Sequence, residues 1–79
     1  MTVVLERRDP TENVFRYYRL EVERDLFGTW CLIRCWGRIG TMGQSKIQAF
    51  DSRERAEALC HRIAARKRKR GYWTKTDGP

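Results

Sequence analysis

The hydrophobic period of this chain changes once, at Asp51, and that switch fixes the class of fold open to it. Upstream, apolar residues alternate with polar ones; downstream they recur every three to four positions. A two-residue period belongs to strands and a 3.6-residue period to helices. The clearest strand is residues 15–24, where Tyr18, Leu20 and Val22 alternate with Arg19, Glu21 and Glu23. Residues 3–8 make a shorter strand, ended by Asp9-Pro10, because proline has no amide to donate to a ladder. Asp25-Leu26-Phe27-Gly28 supplies a hairpin turn, and residues 29–36 form a third strand. Its odd positions Cys31, Ile33 and Cys35 are all apolar and are expected to face the core. Its even positions mix Trp30, Leu32 and Trp36 with Arg34, which suits a surface that is partly covered or that binds something. Gly37, Gly40 and Gly43 punctuate the next seven residues, as a backbone needs when it turns sharply or approaches something closely. Residues 45–50 read as a fourth strand.

After the switch, Ala56, Leu59, Cys60, Ile63 and Ala64 make one apolar stripe at helical spacing. Asp51 is the expected N-cap, with Glu54 three residues on in capping-box position, and Gly71 stands where a C-terminal glycine belongs. A helix over residues 52–70 is roughly 28 Å long, enough to cross a small sheet. The expected fold is α+β: a small two-layer domain, a four- to five-stranded antiparallel sheet with one long C-terminal helix packed across it. Residues 1–79 form one domain with a core of about residues 3–73. Tyr72 and Trp73 suit docking onto the sheet, whereas residues 74–79 are expected to fray.

The chain has 79 residues and a net charge of +7, from 17 Lys and Arg against 10 Asp and Glu. Residues 1–51 carry eight basic and seven acidic side chains; residues 52–79 carry nine and three. The excess therefore belongs to the last third, centred on Arg66-Lys67-Arg68-Lys69-Arg70. A basic domain of this size meets acidic partners, nucleic acid above all. No apolar run approaches the roughly 20 residues of a membrane span, and the N-terminus lacks the pattern of a secretory signal. A chain this short does not wrap a cofactor cleft, so no cofactor is expected.

Cys31, Cys35 and Cys60 are an odd set, which points to a reducing, cytoplasmic setting rather than a disulfide scaffold. They also make no metal site: four residues of strand separate Cys31 from Cys35 by roughly 13 Å. Buried thiols are the expectation. His61 stands next to Arg62 on the polar side of the helix without a nucleophile or carboxylate at triad spacing, and the glycine segment lacks the Lys-Ser/Thr of a phosphate loop. No enzyme is expected.

Trp36-Gly37-Arg38 sets an aromatic plate beside a cation at a strand end, an arrangement able to stack on a sugar or base and hold its phosphate. This triplet, followed by Ile39-Gly40-Thr41 and Gly43-Gln44, resembles the signature of the WGR domain. The resemblance takes in Asn13 and Tyr17-Tyr18-Arg19-Leu20 upstream, and Phe50-Asp51-Ser52 and Lys69-Arg70-Gly71-Tyr72 downstream. It implies a small antiparallel sheet crossed by one helix. The same module occurs in DNA-dependent poly(ADP-ribose) polymerases, where it binds DNA ends and relays that event to a catalytic domain. By that resemblance Trp36 packs on the terminal sugar of a DNA end and Arg38 makes a DNA or interdomain contact. No polymerase activity carries over; the likeness is to a stand-alone WGR module of the bacterial kind.

The resulting expectation is a non-catalytic module that binds DNA ends, nicks or distorted duplex through Trp36, Gly37 and Arg38. Arg34 and Lys46 are the nearby cations, and Arg66, Lys67, Lys69 and Arg70 the basic run that attracts phosphates. The alternative is a protein-interaction module docking a partner on a Trp30/Trp36 face. A monomer is expected, because residues 3–8 read as an edge strand and Glu6, Arg7 and Arg8 discourage edge-to-edge pairing.

Overall fold

A computed structural model of the chain describes residues 1–78. Five strands, β1 (Thr2–Asp9), β2 (Val14–Arg24), β3 (Trp30–Arg38), β4 (Gln44–Phe50) and β5 (Trp73–Gly78), form one sheet in the order β4-β3-β2-β1-β5. All four pairings are antiparallel. A single helix, α1 (Arg53–Lys69), covers one face, and a 3-10 turn at Pro10–Glu12 joins β1 to β2. The two-layer α+β architecture expected from the period switch is the one observed.

Antiparallel neighbours directly opposite one another share a face, so register decides what the helix meets. Val3, Leu20 and Arg34 lie in one row across β1, β2 and β3; Leu5, Tyr18 and Trp36 lie in the next. Val3, Leu5, Tyr18, Leu20, Val22 and Leu32 pack with Ala56, Cys60, Ile63 and Ala64 of the helix stripe. Burying such side chains contributes about 1.5–3 kcal/mol each, and this one cluster holds the two layers together.

This register corrects the expected core face of β3. Val22 stands opposite Leu32 and Tyr18 opposite Trp36, so the even positions of β3 join the core side. Leu32 is fully buried there, while Trp30 and Trp36 pack half-buried at its margins. Cys31, Ile33 and Cys35 stand opposite Glu23, Glu21 and Arg19 on the uncovered face. The unbroken alternation of β2 imposes this choice. Arg34 tolerates the helix side because its guanidinium donates to Tyr18 Oη at 2.9 and 3.0 Å and to Gln48 Oε1 at 3.3 Å.

The tail is also corrected. Residues 74–78, expected to fray, lie within β5 and pair with β1, with Trp73 opposite Glu6 and Gly78 opposite Thr2. Side chains explain the docking: Lys75 Nζ reaches Glu6 Oε2 at 3.2 Å, and Arg68 donates to Thr74 Oγ1 at 2.8 Å and approaches Asp77 at 3.8 Å. Glu6 is 5% exposed and also accepts from Arg8 at 3.2 Å. Its burial pushes the carboxyl pKa up, but the bonds from Lys75 and Arg8 outweigh burial and leave it below the usual glutamate value. With β5 in place, β1 is an interior strand, and the expected edge at residues 3–8 does not exist.

The helix begins one residue later than the capping-box spacing suggests. Ser52 is the N-cap, its side chain accepting from the Arg55 amide at 3.2 Å, and Asp51 instead approaches the Arg55 guanidinium at 3.5 Å. At the other end Gly71 takes φ +96°, the left-handed conformation expected of it.

Candidate nucleic-acid interface

The hairpin between β3 and β4 closes on itself. A Cβ at Gly37 would lie 2.8 Å from Gly43 Cα, and one at Gly43 would strike the Trp36 carbonyl. Gly43 also holds φ +63°, so glycine is required there for conformation and for space. Tyr17 Oη donates to Met42 O at 2.7 Å, and Thr41 Oγ1 donates to Arg38 O at 2.8 Å. The glycine segment is therefore a packed clasp that fixes the backbone of Trp36, Gly37 and Arg38.

Trp36 lies on the helix side, half-buried, with its ring 5.7 Å from that of Tyr18 and nearly parallel to it at 14°. Above Tyr18 sits Lys67, the last residue to continue the buried stripe of α1, with Nζ 4.6 Å from the Tyr18 ring and 5.5 Å from that of Tyr72. The indole thus marks the rim of the core where the end of the helix leaves the sheet.

Cations gather around that rim. Beyond the Leu5, Tyr18 and Trp36 row, the next row along the strands is Arg7, Arg16 and Arg38, three arginines side by side across β1, β2 and β3. Like charges directly opposite one another destabilise a sheet. Arg34 and Lys46 stand opposite one another across β3 and β4. On α1, Arg68 turns to β5, which puts Arg66 and Arg70 on the opposite flank, toward β3. The six ion pairs among the described residues employ Arg8, Arg19, Arg53, Arg55, Arg68 and Lys75. Arg7, Arg16, Arg34, Arg38, Lys46, Arg66, Lys67 and Arg70 appear in none of them. Arg24, Arg62 and Lys69, off this shelf, are in none of them either, but the shelf gathers eight of the eleven cations that have no carboxylate partner among the described residues. Lys67 registers the consequence: burial, then the charges of Arg70, Arg16, Arg34 and Arg66, hold its pKa below the ordinary lysine value.

Most residues expected at the site converge here. Trp36, Arg34 and Lys67 touch the Tyr18 cluster, Lys46 flanks it, and Arg66 and Arg70 rim it. Arg38 lies at the end of the shelf, with Nη2 3.4 Å from Asn13 Oδ1 and its guanidinium 5.3 Å from the Phe15 ring. Gly37 acts through the clasp. Lys69 stands about 200° around the helix from Lys67 and points away from the sheet. Arg7 and Arg16 escaped the sequence reading, because only cross-strand register reveals them as neighbours of Arg38. Trp30 lies six residues from Trp36 along β3, under Arg24 and Arg53 at 5.6 and 5.5 Å. Both indoles pack half-buried on the face that α1 covers, so the two do not form one open docking face.

No group of three or more His, Cys, Asp or Glu among the described residues is placed to hold a metal ion. The three cysteines are free; Cys31 and Cys60 are buried as expected, and Cys35 is half-buried on the uncovered face. No helix among the described residues is long and apolar enough to cross a membrane.

Known proteins resemble this chain at both levels. It is 48% identical over 68 residues to the uncharacterized protein y4dW of Sinorhizobium fredii, matching 86% of this chain and 33% of that protein. The chain thus spans about one third of that relative. A crystal structure of a Bacteroides fragilis protein superposes with a TM-score of 0.80 at 25% identity, covering 96% of this chain and 20% of the other. The family model of the WGR domain matches residues 1–79. The Trp36-Gly37-Arg38 clasp, the five-stranded sheet and the crossing helix accord with that match, and the chain belongs to the WGR domain family.

Proposed function

We propose that this WGR module binds nucleic acid without catalysing a reaction on it, and that its ligand is DNA at an end, nick or distorted duplex. The observation that carries this reading is the shelf of cations without carboxylate partners around Trp36. A row of arginines opposite one another, beside a lysine whose own charge is disfavoured, costs stability that a bound polyanion offsets. Trp36 supplies an aromatic edge at the centre of that shelf, suited to a terminal sugar or base where the duplex ends. The arginines supply forked donors for phosphate. Charge gives attraction, and the indole held by the glycine clasp gives selectivity.

Titration of one labelled DNA sequence in blunt, 5′-phosphorylated and covalently closed circular forms tests this. Linear forms are expected to bind more tightly, and Trp36→Ala to remove that preference while leaving weak, salt-sensitive binding. If three to five phosphates are neutralised, log K against log salt slopes by about −3 to −4.5. Equal binding to all forms, unchanged in Trp36→Ala, refutes end recognition.

A further inference from the structure

The chain has four lysines, and one is placed unlike the rest. Lys46, Lys69 and Lys75 are exposed, and Lys75 is held by Glu6 at 3.2 Å. Lys67 is half-buried, with Nζ 4.6 Å from the Tyr18 ring and 5.5 Å from the Tyr72 ring, and it is in no ion pair among the described residues. The charges that bear most on it are four arginines, Arg16 and Arg34 on the sheet and Arg66 and Arg70 at the helix end. Burial and neighbouring cations both favour the neutral amine, which is the form of lysine that attacks a carbonyl carbon. The amine also has a fixed place beside the candidate site. Tyr18 is the common neighbour of Lys67 and of Trp36, whose ring lies 5.7 Å from it and nearly parallel. A sugar set against the Trp36 indole therefore lies beside Nζ, with its flanking phosphates among the arginines. Bases, phosphates and intact sugars offer an amine nothing to condense with. A sugar that has lost its base does: its ring opens to an aldehyde at C1′, an electrophile that arrives with phosphates attached.

We propose, resting on DNA binding at this shelf, that Lys67 captures base-free sugars covalently, its Nζ condensing with the C1′ aldehyde of an abasic nucleotide bound at Trp36. The nitrogen lone pair attacks C1′, the C=O bond gives way to C=N, and the carbonyl oxygen leaves as water with the two amine protons. No oxidant or reductant is consumed. The ligand class of the site is thereby narrowed from DNA ends and distortions in general to those that carry a base-free sugar.

Sodium cyanoborohydride, which reduces an imine to a stable amine, fixes the adduct for measurement. Blunt duplexes of one sequence, either intact or with a single abasic residue next to the end, are incubated with the full chain and cyanoborohydride. Binding of each duplex without the reductant is titrated in parallel. The expected product is a one-to-one protein–DNA adduct with the abasic duplex alone, mapped to Lys67 by peptide mass spectrometry. Lys67→Arg keeps the cation, removes the nucleophile and loses the adduct, with DNA saturating for each protein so that a change in affinity does not enter. The map on the wild-type chain decides the matter even where Lys67→Arg fails to fold. Binding without an adduct, an adduct that survives Lys67→Arg, or one mapped to the Met1 amine, Lys46, Lys69 or Lys75 overturns capture by Lys67 and leaves DNA binding standing. Failure of both duplexes to bind overturns DNA binding, and capture with it.

Discussion

Alanine at Gly43 is expected to cost far more stability than alanine at Gly40, although both residues hold left-handed backbone, at φ +63° and +92°. At Gly40 a Cβ meets nothing within 4 Å, so the cost is torsional alone, about 1–2 kcal/mol. At Gly43 the same torsional cost is joined by a collision: the Cβ would fall on the Trp36 carbonyl, 2.8 Å from its carbon and 2.8 Å from Tyr17 Oη. Backbone cannot swing aside as a side-chain tip can, so the loop must lift. Lifting adds about 1–3 kcal/mol of overpacking strain. It also loosens the Tyr17 to Met42 hydrogen bond, about 1 kcal/mol more. The total is about 3–6 kcal/mol, against a stability of about 4–12 kcal/mol for a chain of this length. Urea unfolding of both variants measures the difference. Gly43→Ala is expected to leave a marginal fold with weakened nucleic-acid binding, and Gly40→Ala a mildly destabilised one that binds normally. Costs equal to within about 0.5 kcal/mol would refute the clasp as what positions Trp36.

Three further outcomes follow from side-chain environments. Because burial and four arginines lower the folded-state pKa of Lys67, the unfolded chain binds more protons between that value and the ordinary 10.5, and stability rises with pH through that window. Lys67→Met is expected to flatten this rise in denaturation curves taken from pH 8 upward and to weaken nucleic-acid binding, so fold and function respond separately. Glu6 is the opposite case: its folded pKa lies below 4.5, so its contribution is present above that value and is lost as pH falls through the folded pKa. Glu6→Gln weakens the bonds from Lys75 and Arg8; it is expected to cost about 1–3 kcal/mol at neutral pH and to reduce the acid sensitivity of unfolding. Ser52→Ala removes the N-cap acceptor and is expected to cost about 1 kcal/mol, whereas Asp51→Ala, away from the cap, costs less, as thermal unfolding will report.

The period switch at Asp51 carries the fold, because the alternation of β2 and the stripe of α1 are written in residues that meet one another directly. In β3 local pattern and register compete. Cys31, Ile33 and Cys35 are more uniformly apolar than Trp30, Leu32, Arg34 and Trp36. Pairing with Tyr18, Leu20 and Val22 nevertheless outweighs that uniformity. β5 is barely legible, since Thr74, Lys75, Thr76 and Asp77 are polar and their partners, Glu6 and Arg68, lie elsewhere in the chain. Asp51 and Ser52 are both good caps, and spacing alone does not separate them. At the candidate site the triplet and the basic run are visible in one dimension. The arginine row is not: Arg7, Arg16 and Arg38 become neighbours only through two strand pairings.

Amide chemical-shift mapping of the isotopically labelled protein, as a short blunt duplex is added, tests the central claim most directly. The account predicts shifts centred on Trp36, Gly37 and Arg38, on Arg16 and Arg34, and on Arg66 to Arg70 at the helix end, all diminished by salt. Shifts confined to the uncovered face around Tyr17, Cys35 and Ile47, or no response to the duplex, would contradict it.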